Sequence, residues 1–192
     1  MGETVRVREA GAADVAAAAE VWHAAHLARR NGRALPKEQH DLVYTRMTAP
    51  GALLLVAEDF TPPDGTPPDG TPPDATAPET GPPLTVGTLL AVPGRADDGA
   101  GPLVPELLHI SLVSVLPDRW GERVGRLLMG EILGRAPALG HRYVQLWTYA
   151  DNMRANRLYR AHGFRRTGRA HIDDWGELIV QYRRDVSAPP PG

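Results

Sequence analysis

The 192-residue chain contains no cysteine. Disulfide bonds, thiolate metal ligands and a cysteine nucleophile are therefore excluded. No apolar run approaches the roughly 18 residues that a membrane-spanning helix needs, and the first ten residues lack the apolar core of a signal peptide. We therefore expect a soluble, cytoplasmic chain. A length of this order favours one domain with a sizeable core.

The sequence also lacks a strong charge bias and a metal-binding pattern. The formal net charge is −2, so the chain has no general attraction to nucleic acid or to anionic membranes. His23 and His26 do not have the i, i+4 spacing of a helical metal pair, and no third ligand accompanies them. We predict no metal site, and neither nucleic acid nor membrane as a partner.

The chain is organised around a predicted strand, turn and helix. An apolar, β-branched run at Leu107–Leu116 predicts a buried strand. A glycine-containing turn, 120–125, leads into helically spaced apolar residues from Val124 onward. Free N–H groups at a helix start bind anions, so this turn is either a pyrophosphate cradle or an ordinary connection. It carries neither the P-loop pattern nor the dinucleotide fingerprint.

The turn resembles the pyrophosphate loop of the GNAT superfamily of acyl-CoA N-acyltransferases. The step Val115-Leu116-Pro117 matches the family's strand end, and Gly121 and Gly125 match the loop. Two positions depart from the family pattern. Trp120 stands where the family usually has arginine or glutamine, and Arg123 stands where it usually has its first glycine.

A second resemblance to the same family lies further along the chain. After a predicted strand over 143–149, the run Asn152-x-x-Ala155-x-x-Leu158-Tyr159-x-x-x-Gly163-Phe164 matches the family signature at every position. Gly163 stands where a left-handed helix cap belongs. The resemblance covers most of the chain, roughly Val5 to Val186, apart from one insertion.

The resemblance implies a mixed α/β fold. We expect a central mixed sheet of about six or seven strands, with helices on both faces and two central parallel strands splayed apart. It also implies acetyl-CoA as co-substrate. The residues implied to bind acetyl-CoA are Val113, Ser114 and Val115 at the strand edge, Gly121, Glu122, Arg123, Val124, Gly125 and Arg126 at the pyrophosphate, and Asn152.

The same resemblance implies roles in acid–base chemistry. Tyr159 matches the family's general acid, although a core tyrosine is the alternative. The base remains open between Glu106, His109 and a chain of water molecules. The two-residue period of a strand predicts that His109 shares a face with Ser111, Val113 and Val115. A main-chain N–H near Val115 is expected to stabilise the developing oxyanion.

Two helices near the start of the chain are implied to border the acceptor. Helical spacing predicts them at 15–29, with Asp14 as N-cap, and at 36–47. Trp22, His26 and Tyr44 are the acceptor-binding candidates on these helices, and ordinary core packing is the alternative for each. Asp174 belongs to an acidic cluster with Asp173 and Glu177, which either attracts a cationic amine or forms a solvated turn.

A low-complexity segment interrupts the predicted domain of residues 1–186. Residues 61–75 contain three near copies of a five-residue unit, Thr-Pro-Pro-Asp followed by glycine or alanine. We expect residues 61–83 to form a disordered insertion at the tip of a hairpin, whose strands lie at 52–58 and 84–92. A second loop is predicted over 93–105, and a disordered tail over 187–192.

The leading functional hypothesis is an N-acetyltransferase. It would move an acetyl group from acetyl-CoA to a primary amine of a small molecule or peptide by direct attack. The alternatives are a non-catalytic acyl-CoA-binding regulatory module and an interaction protein that uses the proline-rich repeat. The expected partners are the amine acceptor and a possible second copy in a homodimer.

Overall fold

The computed structural model describes residues 5–33, 37–60, 83–173 and 175–187. The proposed insertion lies outside the described residues except for Pro83, and the proposed tail lies outside them except for Ser187. Asp174, an acceptor-binding candidate, also lies outside the described residues.

A seven-stranded mixed sheet forms the centre of the described structure, as expected. Its spatial order is β1-β2-β3-β4-β5-β7-β6, and every neighbouring pair is antiparallel except β4 and β5. The strands are β1 (Val5–Glu9), β2 (Leu53–Asp59), β3 (Leu84–Arg95), β4 (Leu103–Val115), β5 (Tyr143–Tyr149), β6 (Arg165–Ile172) and β7 (Leu178–Asp185).

Four α-helices cover the two faces of the sheet. They are α1 (Val15–Arg29), α2 (Lys37–Met47), α3 (Val124–Arg135) and α4 (Met153–Ala161). Side chains of α1 and α2, among them Trp22 and Val43, form one core against Leu90 and Val56 of the sheet. Side chains of α3 and α4, among them Leu128 and Tyr159, belong to a second core on the opposite face of the sheet. Helices on both faces were predicted and are found.

Some predicted boundaries were wrong. The loop expected over 93–105 is shorter, because β3 continues to Arg95 and β4 already begins at Leu103. Asp14 does precede α1, but its carboxylate accepts hydrogen bonds from the Gly11 N–H (2.7 Å) and from Arg8 instead of capping α1. The ion pair with Arg8 therefore ties the start of α1 to β1.

The parallel pair β4–β5 separates halfway along its length. Pairing runs from Leu107 with Tyr143 to Ile110 with Leu146 and stops there. Beyond that point β5 pairs only with β7, as far as Tyr149. A register shift in the β3–β4 ladder leaves Ser111 without a partner, directly after the last β4–β5 pair. Because a bulge of this kind bends its strand, it accounts for the divergence.

The same bulge corrects the predicted alternation along β4. His109 is paired with Val92, whereas Val113 is paired with Leu89, a residue of the opposite face. His109 therefore shares its face with Leu112 and Ser114, on the side of α1. Val113 and Val115 pack instead against the core on the α3 side. The strict two-residue period failed because Ser111 adds one residue to the strand.

Buried Asn156 fixes α4 to the sheet. Its amide nitrogen donates to the carbonyl oxygens of Tyr149 (3.0 Å) and Asn152 (2.7 Å), and its amide oxygen accepts from the Tyr182 hydroxyl at 2.8 Å. These bonds join the end of β5, the start of α4 and β7. They set the position of every other α4 side chain, including Tyr159, yet no pattern in the sequence marked Asn156.

Replacing Asn156 by alanine should lower the free energy of unfolding by about 2–3 kcal/mol, because buried partners lose their hydrogen bonds. Tyr182→Phe, which removes only one of these bonds, should cost about 1 kcal/mol. Urea denaturation of both variants tests this. Equal stability of Asn156→Ala and the wild type would contradict the assigned role.

Candidate active site

The divergence of β4 and β5 opens a cavity of about 1150 Å³. Its walls come from the end of β4, the following loop, the end of β5, α4, α1, α2 and the β6–β7 loop. Most of the predicted site residues line this one cavity. They are Trp22, His26, His109, Val113, Ser114, Val115, Gly121, Arg123, Val124, Gly125, Arg126, Asn152 and Tyr159.

Three described candidates do not line the cavity. Glu106 is exposed near the start of β4, where its carbonyl oxygen accepts from the Arg142 N–H at 2.8 Å. Tyr44 is 48% exposed on the outer side of α2. Glu122 is exposed in the loop and accepts from Arg119 at 3.0 Å.

The loop before α3 forms an anion-binding backbone. Gly121 has φ +99°, and Arg123 has φ +69° in the left-handed region that favours glycine. Within the described residues, the N–H groups of Gly121, Arg123, Val124 and Gly125 have no hydrogen-bond partner. Arg123 thus adopts a backbone conformation that favours glycine, at a cost of roughly 1–2 kcal/mol. The start of α3 keeps its free donors and the positive end of its dipole.

Trp120 closes this loop against the strand. Its indole N–H donates to the Val115 carbonyl oxygen at 2.9 Å, and the guanidinium of Arg154 lies 4.0 Å from its ring centre. The aromatic ring therefore connects β4, the loop and α4. The hydrogen bond from Trp120 to Val115 therefore anchors the loop to the end of β4.

Arginines surround the cavity. Its lining contains seven of them and, among the described residues, one carboxylate, that of Asp173. Five arginines lie on the loop, α3 and α4 side: Arg119, Arg123, Arg126, Arg154 and Arg157. Arg119 is engaged in ion pairs with Asp59 and Glu122. The side that carries the free loop N–H groups is therefore strongly positive, as phosphate binding requires.

Tyr159 is buried on α4 and faces the same cavity. Its ring packs against Phe164 and Tyr182, with ring centres 6.2 and 6.1 Å apart. Within the described residues its hydroxyl makes no hydrogen bond, so no carbonyl of the core satisfies it. Burial raises the pKa of this phenol well above its usual value, so it stays protonated near neutral pH.

Asn152 lies at the N-cap of α4. Its side-chain oxygen accepts from the Ala155 N–H at 3.1 Å. The asparagine of the signature therefore starts the helix that carries Tyr159, and the same residue lines the cavity.

His109 stands on β4 beside the point of divergence. Burial, with a smaller contribution from the charge of Arg46, lowers the pKa of His109 to about 4. Its Nδ1 is buried and has no hydrogen-bond partner among the described residues. The imidazole is therefore neutral near pH 7, and the residue lines the cavity.

The other end of the cavity is aromatic. Trp22 lies 5.3 Å from the ring of His26, and His26 lies 6.2 Å from that of Tyr149. Burial, followed by the charges of Arg29 and Arg30, lowers the pKa of His26 to about 4. Sequence reasoning missed five further lining residues of this end, Arg46, Trp147, Tyr149, His171 and Trp175. Their isolated positions in the sequence carry no motif.

The acidic cluster of the β6–β7 loop is engaged within the protein. Glu177 forms ion pairs with Arg29 and Arg30. The Asp173 carboxylate accepts from the N–H groups of Trp175 (3.0 Å) and Glu177 (2.8 Å). Of the two interpretations of this cluster, the turn-forming one describes Asp173, whereas the Glu177 carboxylate forms ion pairs with Arg29 and Arg30, a role that neither interpretation gave it.

Comparison with protein families identifies the segment around this site. Residues 85–164, from β3 to the end of α4, match the model of the acetyltransferase (GNAT) family. This segment of the chain is therefore similar to the GNAT acetyltransferase domain. The matched segment includes the bulged strand, the arginine-lined loop and Tyr159, so the family's pattern falls on the walls of the cavity.

Solved structures share the GNAT fold over nearly the whole chain. yncA of Salmonella typhimurium, with its cofactor acetyl-CoA, is 19% identical, with a TM-score of 0.65 over 98% of this chain and 97% of that one. PaiA N-acetyltransferase of Thermoplasma acidophilum, in complex with coenzyme A, is 12% identical, with a TM-score of 0.59 over 96% and 100%. The ribosomal-protein-S18-alanine N-acetyltransferase of Escherichia coli is 13% identical, with a TM-score of 0.63 over 96% of each chain. No curated protein sequence matches the chain significantly.

In the part of the chain that the structure describes, no helix combines the length and apolar character needed to cross a bilayer. Over the same residues, histidine and carboxylate side chains form no group of three that could hold a metal ion.

Replacing Arg123 by glycine should stabilise the protein by about 0.5–1 kcal/mol, because glycine adopts the left-handed conformation without strain. Arg126→Gly is the matched control, since it removes the same charge from a right-handed helical position and should destabilise by a similar amount. Relative to the wild type, the denaturant midpoint should rise in Arg123→Gly and fall in Arg126→Gly. Destabilisation by both substitutions would contradict the strain at Arg123.

The pH dependence of stability should report on the buried histidines. Since the folded pKa of His109 lies near 4 and the unfolded value near 6.5, the unfolded chain binds more protons between them. The free energy of unfolding should therefore fall as the pH is lowered from 6.5 to 4. His109→Phe should reduce this slope by up to about 1.4 kcal/mol per pH unit. Identical slopes for variant and wild type would contradict the burial of a neutral His109.

Proposed function

We propose that the chain transfers an acetyl group from acetyl-CoA to a primary amine of a small molecule or peptide by direct attack. The observation that carries this proposal is one cavity whose wall contains an unpaired strand edge, a loop of free N–H groups and a buried tyrosine whose hydroxyl makes no hydrogen bond to another described residue. The first two features suit the pantetheine and pyrophosphate of acetyl-CoA. The third supplies a proton donor.

The residues present fit acetyl-CoA. The edge of β4 beyond Ile110 is free of β5, so the main chain around Val113 can pair with amide groups. The N–H groups of Gly121, Arg123, Val124 and Gly125 suit a pyrophosphate, and Arg126 and Arg154 add charge. The related folds of yncA and PaiA, solved with acetyl-CoA and coenzyme A, support this assignment. Bound acetyl-CoA supplies an activated thioester.

Tyr159 serves as the general acid in this proposal. The departing thiolate, related to a thiol with a pKa of roughly 8.5, must gain a proton. Tyr159 holds its proton at neutral pH, and its hydroxyl is not engaged by another described residue. A main-chain N–H near Val115 would donate to the carbonyl oxygen as negative charge develops there.

The amine must lose a proton before it attacks. Glu106 lies outside the cavity, so it is removed from direct contact with the amine. His109 is neutral and lines the cavity, but a pKa near 4 makes it a weak base. We therefore assign His109 the acceptance of a hydrogen bond from the amine or from a water that carries the proton to solvent.

Tyr159→Phe should lower kcat by about 10²- to 10⁴-fold, since it removes the general acid while keeping the ring. The affinity for acetyl-CoA should remain within about threefold of the wild type, because no charge or backbone donor changes. A thiol-release assay and calorimetry measure the two quantities. Tyr143→Phe, which removes a hydroxyl outside the cavity, is the matched control.

Unchanged turnover in Tyr159→Phe would contradict the role of the hydroxyl. Acetyl-CoA binding without turnover on any amine, in the wild type, would contradict the proposed transfer and favour a non-catalytic acyl-CoA-binding module.

A further inference from the structure

The acceptor end of the cavity is formed by parts of the chain that lie far apart in sequence. α1 contributes Trp22 and His26, β5 contributes Trp147 and Tyr149, and the β6–β7 loop contributes Trp175. Main-chain pairing with β7 holds β5 in place as far as Tyr149. α1 and the β6–β7 loop are joined through side chains instead, so the spacing between these two walls depends on ionic contacts.

The carboxylate of Glu177 makes this connection. One of its oxygens accepts a hydrogen bond from the guanidinium of Arg29, and the other lies 3.4 Å from the guanidinium of Arg30. The side chains of Arg29 and Arg30 are only 18% and 15% exposed. Because removal of the carboxylate would leave two poorly solvated charges without it, its loss costs more than the loss of an exposed surface pair.

Arg29 extends the same connection to the end of β5. Its guanidinium lies 3.5 Å from the ring centre of Tyr149, and its Nη1 atom lies 3.4 Å from the carboxylate of Asp151. A cation over an aromatic face is attracted by the ring, and the ring of Tyr149 belongs to a residue of the cavity wall. Glu177 therefore orients a guanidinium that links α1 to a second wall of the acceptor end.

The β6–β7 loop is a compact turn. The Asp173 carboxylate accepts from the N–H groups of Trp175 and Glu177 at 3.0 and 2.8 Å, and the Asp173 N–H donates to the Glu177 carbonyl oxygen at 2.9 Å. These bonds fix Trp175 relative to Glu177. The attachment of Glu177 to α1 therefore also places Trp175 in the cavity wall.

We propose that Glu177 is a positioning residue for the acceptor: its ion pairs with Arg29 and Arg30 hold the β6–β7 loop against α1 in the arrangement that binds the amine. This inference rests on the proposed function. Glu177 does not line the cavity, so it acts through the residues that it holds and not by contact with substrate. The pyrophosphate loop is anchored separately, by Trp120, so the effect should be confined to the acceptor.

The test compares Glu177→Gln, which removes the charge and keeps the shape, with Arg30→Gln and the double variant. Arg30 does not line the cavity, so its substitution weakens the network without changing the wall itself. Glu131→Gln is the matched control. The side chain of Glu131 is 37% exposed, against 34% for Glu177, and its ion pair with Arg135 at 2.7 Å lies outside the cavity.

Three measurements are made on each variant. Steady-state kinetics use phenylethylamine, phenylalaninamide, spermidine and a short peptide with a free N-terminus, and the acceptor that the wild type acetylates fastest is used throughout. Calorimetry gives the Kd for acetyl-CoA and shows that each variant is folded. Hydrogen exchange followed by mass spectrometry reports on the opening of the β6–β7 loop.

We expect Glu177→Gln to raise the KM for the acceptor about 10-fold, with kcat within about threefold, because the displaced loop binds the amine less well. The Kd for acetyl-CoA should stay within about twofold of the wild type. Amide exchange in the β6–β7 loop should become about 10-fold faster. Arg30→Gln should raise KM by about two- to threefold, and adding it to Glu177→Gln should change little, since both remove the same contact. Glu131→Gln should match the wild type.

Several outcomes would overturn the inference and leave the proposed function standing. They are an unchanged acceptor KM in Glu177→Gln, unchanged exchange in the loop, and an equal rise of KM in Glu131→Gln. A loss of acetyl-CoA affinity as large as the rise in KM would also overturn it, because it would show a general structural role. Acetyl-CoA binding by the wild type without transfer to any acceptor would overturn the inference and the proposed function together.

Discussion

The site depends on two parallel strands that stop pairing halfway along their length. Ser111 adds one residue to β4 directly after the last pair with β5, and the bulge bends the strand away. β5 stays in the sheet because β7 continues to pair with it up to Tyr149. The gap between β4 and β5 therefore results from the pairing of β4 with β3 on one side and of β5 with β7 on the other. It leaves main-chain groups at the end of β4 without hydrogen-bond partners on the side that faces β5.

The remaining parts of the site are fixed relative to that gap by backbone contacts. Trp120 holds the loop to β4 through the Val115 carbonyl, and Asn156 holds α4 to the end of β5. Gly125 of α3 allows α3 and α4 to approach each other, since a Cβ at this position would lie 3.2 Å from the Cδ2 atom of Leu158 on α4. The positive lining and the buried Tyr159 therefore face one cavity from separate elements of the chain.

Much of this arrangement could be predicted from the sequence, because it depends on local patterns. Asn152, Tyr159 and Gly163 recur at helical spacing, and Gly163 has the left-handed φ of +75° expected of a cap. The face of His109 could not be predicted, because the bulge at Ser111 depends on the β3–β4 register and not on local alternation. Arg46 was missed for a related reason, since its place in the cavity comes from the packing of α2.

The proposed activity requires that the loop bind acetyl-CoA although Trp120 and Arg123 depart from the family pattern. Isothermal titration calorimetry of the purified chain with acetyl-CoA, and then with CoA, tests this most directly. We expect saturable binding of both at micromolar or tighter affinity, because the free N–H groups and the arginines are in place. No detectable binding of either would show that the two departures have abolished the site, and only the fold would then stand.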